Sequence, residues 1–179
     1  MGKAKQPAPV KLMCSIFTPD ETLLAVVRGA LTSHWGPLDY QSELLPFEHT
    51  SYYAREFGER LLRQIVAFAN LIPREQLASI KCATNALEMT WIAEGRRRAN
   101  LDPGYIAMDK LVLATTKDYS HRIYIGQGIY AEVTLRYRRG SFQAWEWTYP
   151  DYASPRYLQM CNEIRAIYAA QLRQRGATW

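Results

Sequence analysis

The chain has 179 residues, 48% of them hydrophobic and 22% charged, and carries a formal net charge of +5. That composition excludes a disordered chain and fits one domain burying roughly two-thirds of the surface its unfolded form exposes. No apolar run approaches the ~20 residues of a membrane-spanning helix, and Lys3 and Lys5 precede no apolar leader core, so a cytoplasmic location without membrane attachment is expected.

Residues 1–8 read as a flexible tail, 9–174 as a single domain and 175–179 as a frayed end. Val10 to Phe17 alternates with period two and predicts a strand. Thr18-Pro19-Asp20-Glu21 reads as a capping box, with Thr18 as the cap. The helix that follows runs to about Ser33 and carries Leu23, Val26, Val27, Ala30 and Leu31 on its apolar stripe until Gly36-Pro37 stops it. Asp39 to Pro46 is expected as a second strand, 47–58 as a polar and aromatic loop, and Leu61 to Leu71 as a third strand.

Pro73 opens a second helix, with Leu77, Ile80, Thr84, Leu87 and Trp91 at helical spacing and Gly95 as its stop. Asn85 and Glu88 fall on its polar face. Asn100 to Ala107 reads as a strand distorted at Pro103-Gly104, and Met108 to Thr116 as a short helix or a strand. Ile123–Ile125 and Ile129–Tyr137 form a hairpin around Gly126-Gln127-Gly128. Arg138-Arg139-Gly140 turns into Ser141–Trp145, and Ser154-Pro155 opens a last helix with Leu158, Cys161, Ile164, Tyr168 and Leu172 inward. The order predicts an α+β fold: a ferredoxin-like βαββαβ core with an added β-hairpin and a C-terminal helix.

Nucleotide-binding and hydrolase signatures are missing. No phosphate loop or G-x-S-x-G elbow is present, and Gly126-Gln127-Gly128 lacks the third glycine of a dinucleotide fingerprint. Cys14, Cys82 and Cys161 sit singly in apolar patterns and read as small core residues of a reduced protein. His34, His49 and His121 make no H-E-x-x-H and no paired H-x-T motif.

Polar side chains concentrate in two places, Asn100 to Tyr105 and Thr115 to Arg122. An Asp-Pro-Gly step is expected to turn sharply and display Asp102. Lys117, Ser120, His121 and Arg122 bring ammonium, hydroxyl, imidazole and guanidinium into one short stretch. Lys117 and Arg122 suit an anion, and His121 can move a proton near neutral pH. Glu132 and Thr134 alternate with Val133 and Leu135 on the hairpin. With Asp102, Glu132 is expected to orient a ligand or hold a divalent ion bridging phosphate oxygens. The candidate set is therefore His121 and Asp102 for catalysis, and Asn100, Lys117, Ser120, Arg122, Tyr124 and Glu132 for ligand binding, with no metal-ligand set and no cofactor specified. A phosphorylated small molecule or nucleotide is the expected partner. The arginine runs at 96–98 and 136–139, with Tyr124, Tyr130, Tyr137, Trp145, Trp147 and Tyr149, suit RNA as an alternative. A non-catalytic interaction protein is the third reading.

The segments Asn100-Leu101-Asp102-Pro103-Gly104-Tyr105, Leu113 through Tyr124, Gly128 through Leu135 and Trp147 through Tyr152 resemble a bacterial family of unknown function, numbered 4416, over about Pro9 to Leu172. The resemblance implies the label "GTP-binding protein" that members often carry. Lys117-Asp118 is not the Asn-Lys-x-Asp guanine motif, and the family implies no established catalytic residues for this chain.

Overall fold

The computed structural model describes residues 2–47 and 61–176. The expected loop over 47–58, with His49, therefore lies outside the described residues from 48 on. Strand β1 is Val10–Thr18 and helix α1 Glu21–Trp35. Strands β2 (Leu38–Gln41), β3 (Leu45–Phe47) and β4 (Leu61–Ile72) follow. A 3-10 turn at Arg74–Gln76 leads into α2 (Leu77–Thr90). Next come a short ribbon, β5 (Ile92–Ala93) and β6 (Arg96–Arg97), and strands β7 (Asn100–Ile106), β8 (Lys110–Thr115), β9 (Arg122–Gly126), β10 (Ile129–Arg138) and β11 (Ser141–Ala144). Helices α3 (Pro150–Ala153) and α4 (Pro155–Gln174) close the chain.

The protein is α+β. Among the described residues a nine-stranded sheet runs in the order β11-β10-β8-β7-β1-β4-β2, with β3 added on β4 and β9 on β10. All its pairings are antiparallel. Strand β1 is buried along its whole length because both faces are covered. Leu12, Cys14 and Ile16 pack under Leu24, Val27 and Leu31 of α1 and Ile80 of α2. On the opposite face Met13 joins Ile65, Ile106 and Leu111 under Met160, Cys161 and Ile164 of α4. Each such fully buried aliphatic side chain contributes about 1.5–3 kcal/mol.

Several local expectations change. Asp20, not Thr18, caps α1, accepting the backbone N–H groups of Thr22 and Leu23. The Thr22 hydroxyl and these N–H groups hold the Asp20 carboxyl below its ordinary range, although desolvation opposes them. Val26 faces solvent, and Leu24 takes its place inside. The second expected strand is two short ones, β2 and β3. Helix α2 stops at Thr90, and Glu94 and Gly95, both at positive φ, turn the β5–β6 ribbon instead. Met108 to Thr116 contains a strand and no helix.

Pro103-Gly104 is not a turn. Both residues lie inside β7, opposite Cys14 and Met13 of β1. β8 pairs with β7 only over Gly104–Ile106, so Pro103 sits just outside that ladder. Gly104 is demanded by packing: a Cβ there would stand 2.4 Å from the Val112 carbonyl oxygen and 2.7 Å from Leu113 Cδ2. Gly104→Ala is expected to force β8 outward and lower stability by about 1–3 kcal/mol, read as a lower urea midpoint with an unchanged slope.

Candidate functional site

The site begins at the hairpin. With Gly126-Gln127-Gly128 as the turn, Arg122 of β9 falls opposite Glu132 of β10. Their side chains are 4% and 3% exposed, and Arg122 Nε donates to Glu132 Oε2 at 2.9 Å. His121 Nε2 lies 3.1 Å from the same oxygen. The Thr134 hydroxyl donates to Oε1 at 3.1 Å. A carboxylate oxygen only accepts, so a hydrogen bond across this contact is donated by His121 Nε2. Arg122 Nη1 also donates to the Lys117 carbonyl at 3.0 Å, which ties the 116–121 loop to the buried carboxylate.

Aromatic rings hold the imidazole flat. His121 stacks on Tyr119 (centroids 6.0 Å apart) and on Trp147 (5.5 Å). Trp147 stacks in turn on Trp145 at 5.1 Å and 9°. Arg122 lies over the ring of Tyr119 and Arg136 over that of Trp145, at 4.7 and 4.2 Å. A guanidinium thus lies against the terminal ring at each end of the series Tyr119, His121, Trp147, Trp145. The series stands where β10 lacks a neighbour, since β9 pairs with residues 129–132 and β11 with 135–138. Trp147 Nε1 and the Thr148 hydroxyl fill that gap by donating to the carbonyls of Val133 (3.1 Å) and Thr134 (2.6 Å). Trp145 and Trp147, grouped with base-stacking residues from sequence, here stack on each other, and Trp147 on His121.

Asp102 and Asn100 belong to a different cluster. Asn100 Nδ2 donates to Asp102 at 2.9 Å, and Lys81 of α2 reaches Asp102 at 3.3 Å and the Leu101 carbonyl at 2.7 Å. Glu88 accepts the Leu101 N–H at 2.7 Å and pairs with Arg97 at 2.7 Å. These contacts satisfy the part of the β7 edge that β8 leaves uncovered. Burial pushes the Glu88 carboxyl up, against the opposing pull of Lys81, the Leu101 N–H and Arg97. Glu88 is therefore a buried edge-capping residue and not part of a solvated helix face.

The hydrogen-bond partners of Asp102 and those of Glu132 do not overlap. Among the described residues no group of three or more His, Cys, Asp and Glu side chains could hold a metal. Lys117 and Ser120 are exposed on the loop above His121. Tyr124 is exposed, accepts the Gly128 N–H at 3.3 Å and meets Tyr130 edge-on. Arg122 is buried against Glu132, which corrects its reading as an open anion fork. A groove of about 530 Å³ lies elsewhere, between β11 and α4, with Ser141, Leu158, Asn162 and Glu163 on its wall. It touches none of the candidate residues. Its polar groups are engaged, Asn162 with Phe142 and Ser141, and Glu163 with Tyr40 and Gln159.

The family described as Domain of unknown function (DUF4416) matches residues 8–168. The chain belongs to this family. No curated protein and no solved structure matches the chain. Family membership thus brings no substrate. Cys14 and Cys161 are buried, and burial pushes the Cys161 thiol up to about 12, so neither is a ready thiolate. Among the described residues no helix is long and apolar enough to cross a membrane.

Proposed function

We propose that the chain binds a small anionic ligand, a phosphorylated molecule or nucleotide, at the loop carrying Lys117, Ser120 and His121. The observation that carries this reading is the shared buried carboxylate: Glu132 holds both Arg122 and His121, while the His121 side chain stays 22% exposed. Lys117 supplies positive charge and Ser120 a hydroxyl beside it. Arg122 and Glu132 form the base that fixes the imidazole, and in a catalytic version of this site His121 is the proton carrier. Asp102 and Asn100 stand apart and serve the β7 edge.

The central strands β7-β1-β4-β2, all antiparallel with α1 and α2 on one face, support a ferredoxin-like reading of the core. An RNA reading has less beneath it. Arg97 and Arg98 pair with Glu88 and Asp20, and α4 lies over the sheet face opposite α1 and α2.

Thermal unfolding in inorganic phosphate, nucleotides and sugar phosphates tests the proposal against chloride at equal ionic strength. At 100 times its Kd a ligand raises stability by about 2.7 kcal/mol. The parent is expected to shift, and His121→Ala to melt like the parent without ligand but lose the shift. An equal shift in both proteins would remove His121 from the site. A response only to single-stranded RNA, steep in salt, would favour the RNA reading.

A further inference from the structure

We propose that two copies of this chain associate edge to edge through β9, around a two-fold axis at Tyr124. β9 pairs with β10 on one side, and among the described residues no strand pairs with its other side. Its residues are outward and apolar: Ile123 is 70% exposed, Tyr124 59% and Ile125 37%. A free edge presents unpaired backbone N–H and C=O groups, and monomeric proteins usually blunt such an edge with lysine, proline or an inward charge. Ile123–Ile125 carries none of these, and the one inward charge of β9, Arg122, is paired with Glu132 within the sheet.

The strip is built for a second copy of itself. Ile-Tyr-Ile is symmetric about Tyr124, so antiparallel pairing sets Ile123 of each copy opposite Ile125 of the other. An isologous contact needs this self-complementarity, and β-branched and aromatic cross-strand pairs stabilise it. Charge agrees. At +5 two copies repel at long range, so a contact between them is favoured where it sets no further cations face to face. Arg122, the only charged residue of β9, has its side chain buried against Glu132. The same register places Arg122 opposite Gly126 of the other copy. Each Gly126–Gly128 turn then borders the His121 loop across the axis. The inference does not depend on which ligand that loop takes.

A contact this short lies at the small end of specific interfaces, so a dimer in the micromolar range is expected. Sedimentation equilibrium of the full chain between about 1 and 100 µM reads it directly, that span covering about 2.7 kcal/mol of association free energy. The parent is expected to pass from monomer to dimer. Ile123→Lys is expected to stay monomeric with the parent's melting temperature, since the side chain it replaces faces solvent. Tyr124→Cys is expected to cross-link two copies under mild oxidation, and Tyr149→Cys, exposed outside the strip, not to. A parent that stays monomeric throughout overturns the proposal. So does an Ile123→Lys protein that dimerises as tightly as the parent, or a Tyr124→Cys dimer that fails to cross-link.

Discussion

Glu132→Ala is expected to lower stability by about 3–5 kcal/mol, because it strands the Arg122 guanidinium in a place water hardly reaches. Both side chains are almost wholly buried, and among the described residues the Lys117 carbonyl is the further acceptor for Arg122. The carboxylate also holds His121 and Thr134, so its loss unfastens the loop and the strand together. Chemical denaturation of parent, Glu132→Ala and the double replacement Glu132→Leu/Arg122→Leu separates the causes. The double variant is expected to recover most of the loss, since it leaves no buried charge behind. A Glu132→Ala protein within about 0.5 kcal/mol of the parent would mean that the pair is solvated in solution.

Arg63→Ala is expected to be comparably damaging, at about 3–5 kcal/mol, for a different reason. Arg63 is 1% exposed in the middle of the sheet. Its guanidinium lies over the rings of Phe17, Tyr152 and Tyr157 at 4.4, 4.8 and 4.6 Å. Nε donates to Ser15 Oγ at 2.7 Å, and Nη1 pairs with Asp151 at the start of α3. One side chain thereby clamps α3 and the first turn of α4 onto β1 and β4. Alanine removes three desolvated cation–π contacts and leaves Asp151 without this partner. Lysine restores charge but not the planar fork, so Arg63→Lys is expected to recover only part of the loss. Urea unfolding gives the energies. The near-ultraviolet circular dichroism of Tyr152 and Tyr157 shows whether the clamp opens locally. A parent-like spectrum and midpoint in Arg63→Ala would contradict the clamp.

Much of the local structure could be read from period and turn chemistry. β1 alternates because its two faces meet two different helical layers, and the Gly-Gln-Gly turn fixes the register that sets Arg122 against Glu132. That pairing was within reach of the sequence once the hairpin was accepted. Glu88 and Lys81 were not, because helical periodicity assigns charged positions to solvent. Their partners are backbone groups of β7 that β8 fails to cover, a non-local fact of strand register. Asp102 was misplaced for the same reason. Pro-Gly usually signals a turn, but Gly104 is there to admit β8 at close range. Arg63 lay hidden in an apolar strand, since nothing local announces that three aromatic rings will surround it. Trp145 and Trp147 were visible as an aromatic cluster, yet the stacking of Trp147 on His121 follows from the gap between β9 and β11.

His121 is a ring fixed by a buried carboxylate and two aromatic neighbours, and its side chain is still partly exposed. Proton–carbon NMR of its ring during titration with inorganic phosphate tests the proposed site most directly. A saturable movement of the His121 resonances, lost in Lys117→Ala and not reproduced by chloride, is the predicted result. His121 resonances that stay still while phosphate or a nucleotide stabilises the protein would place the ligand elsewhere and contradict the site.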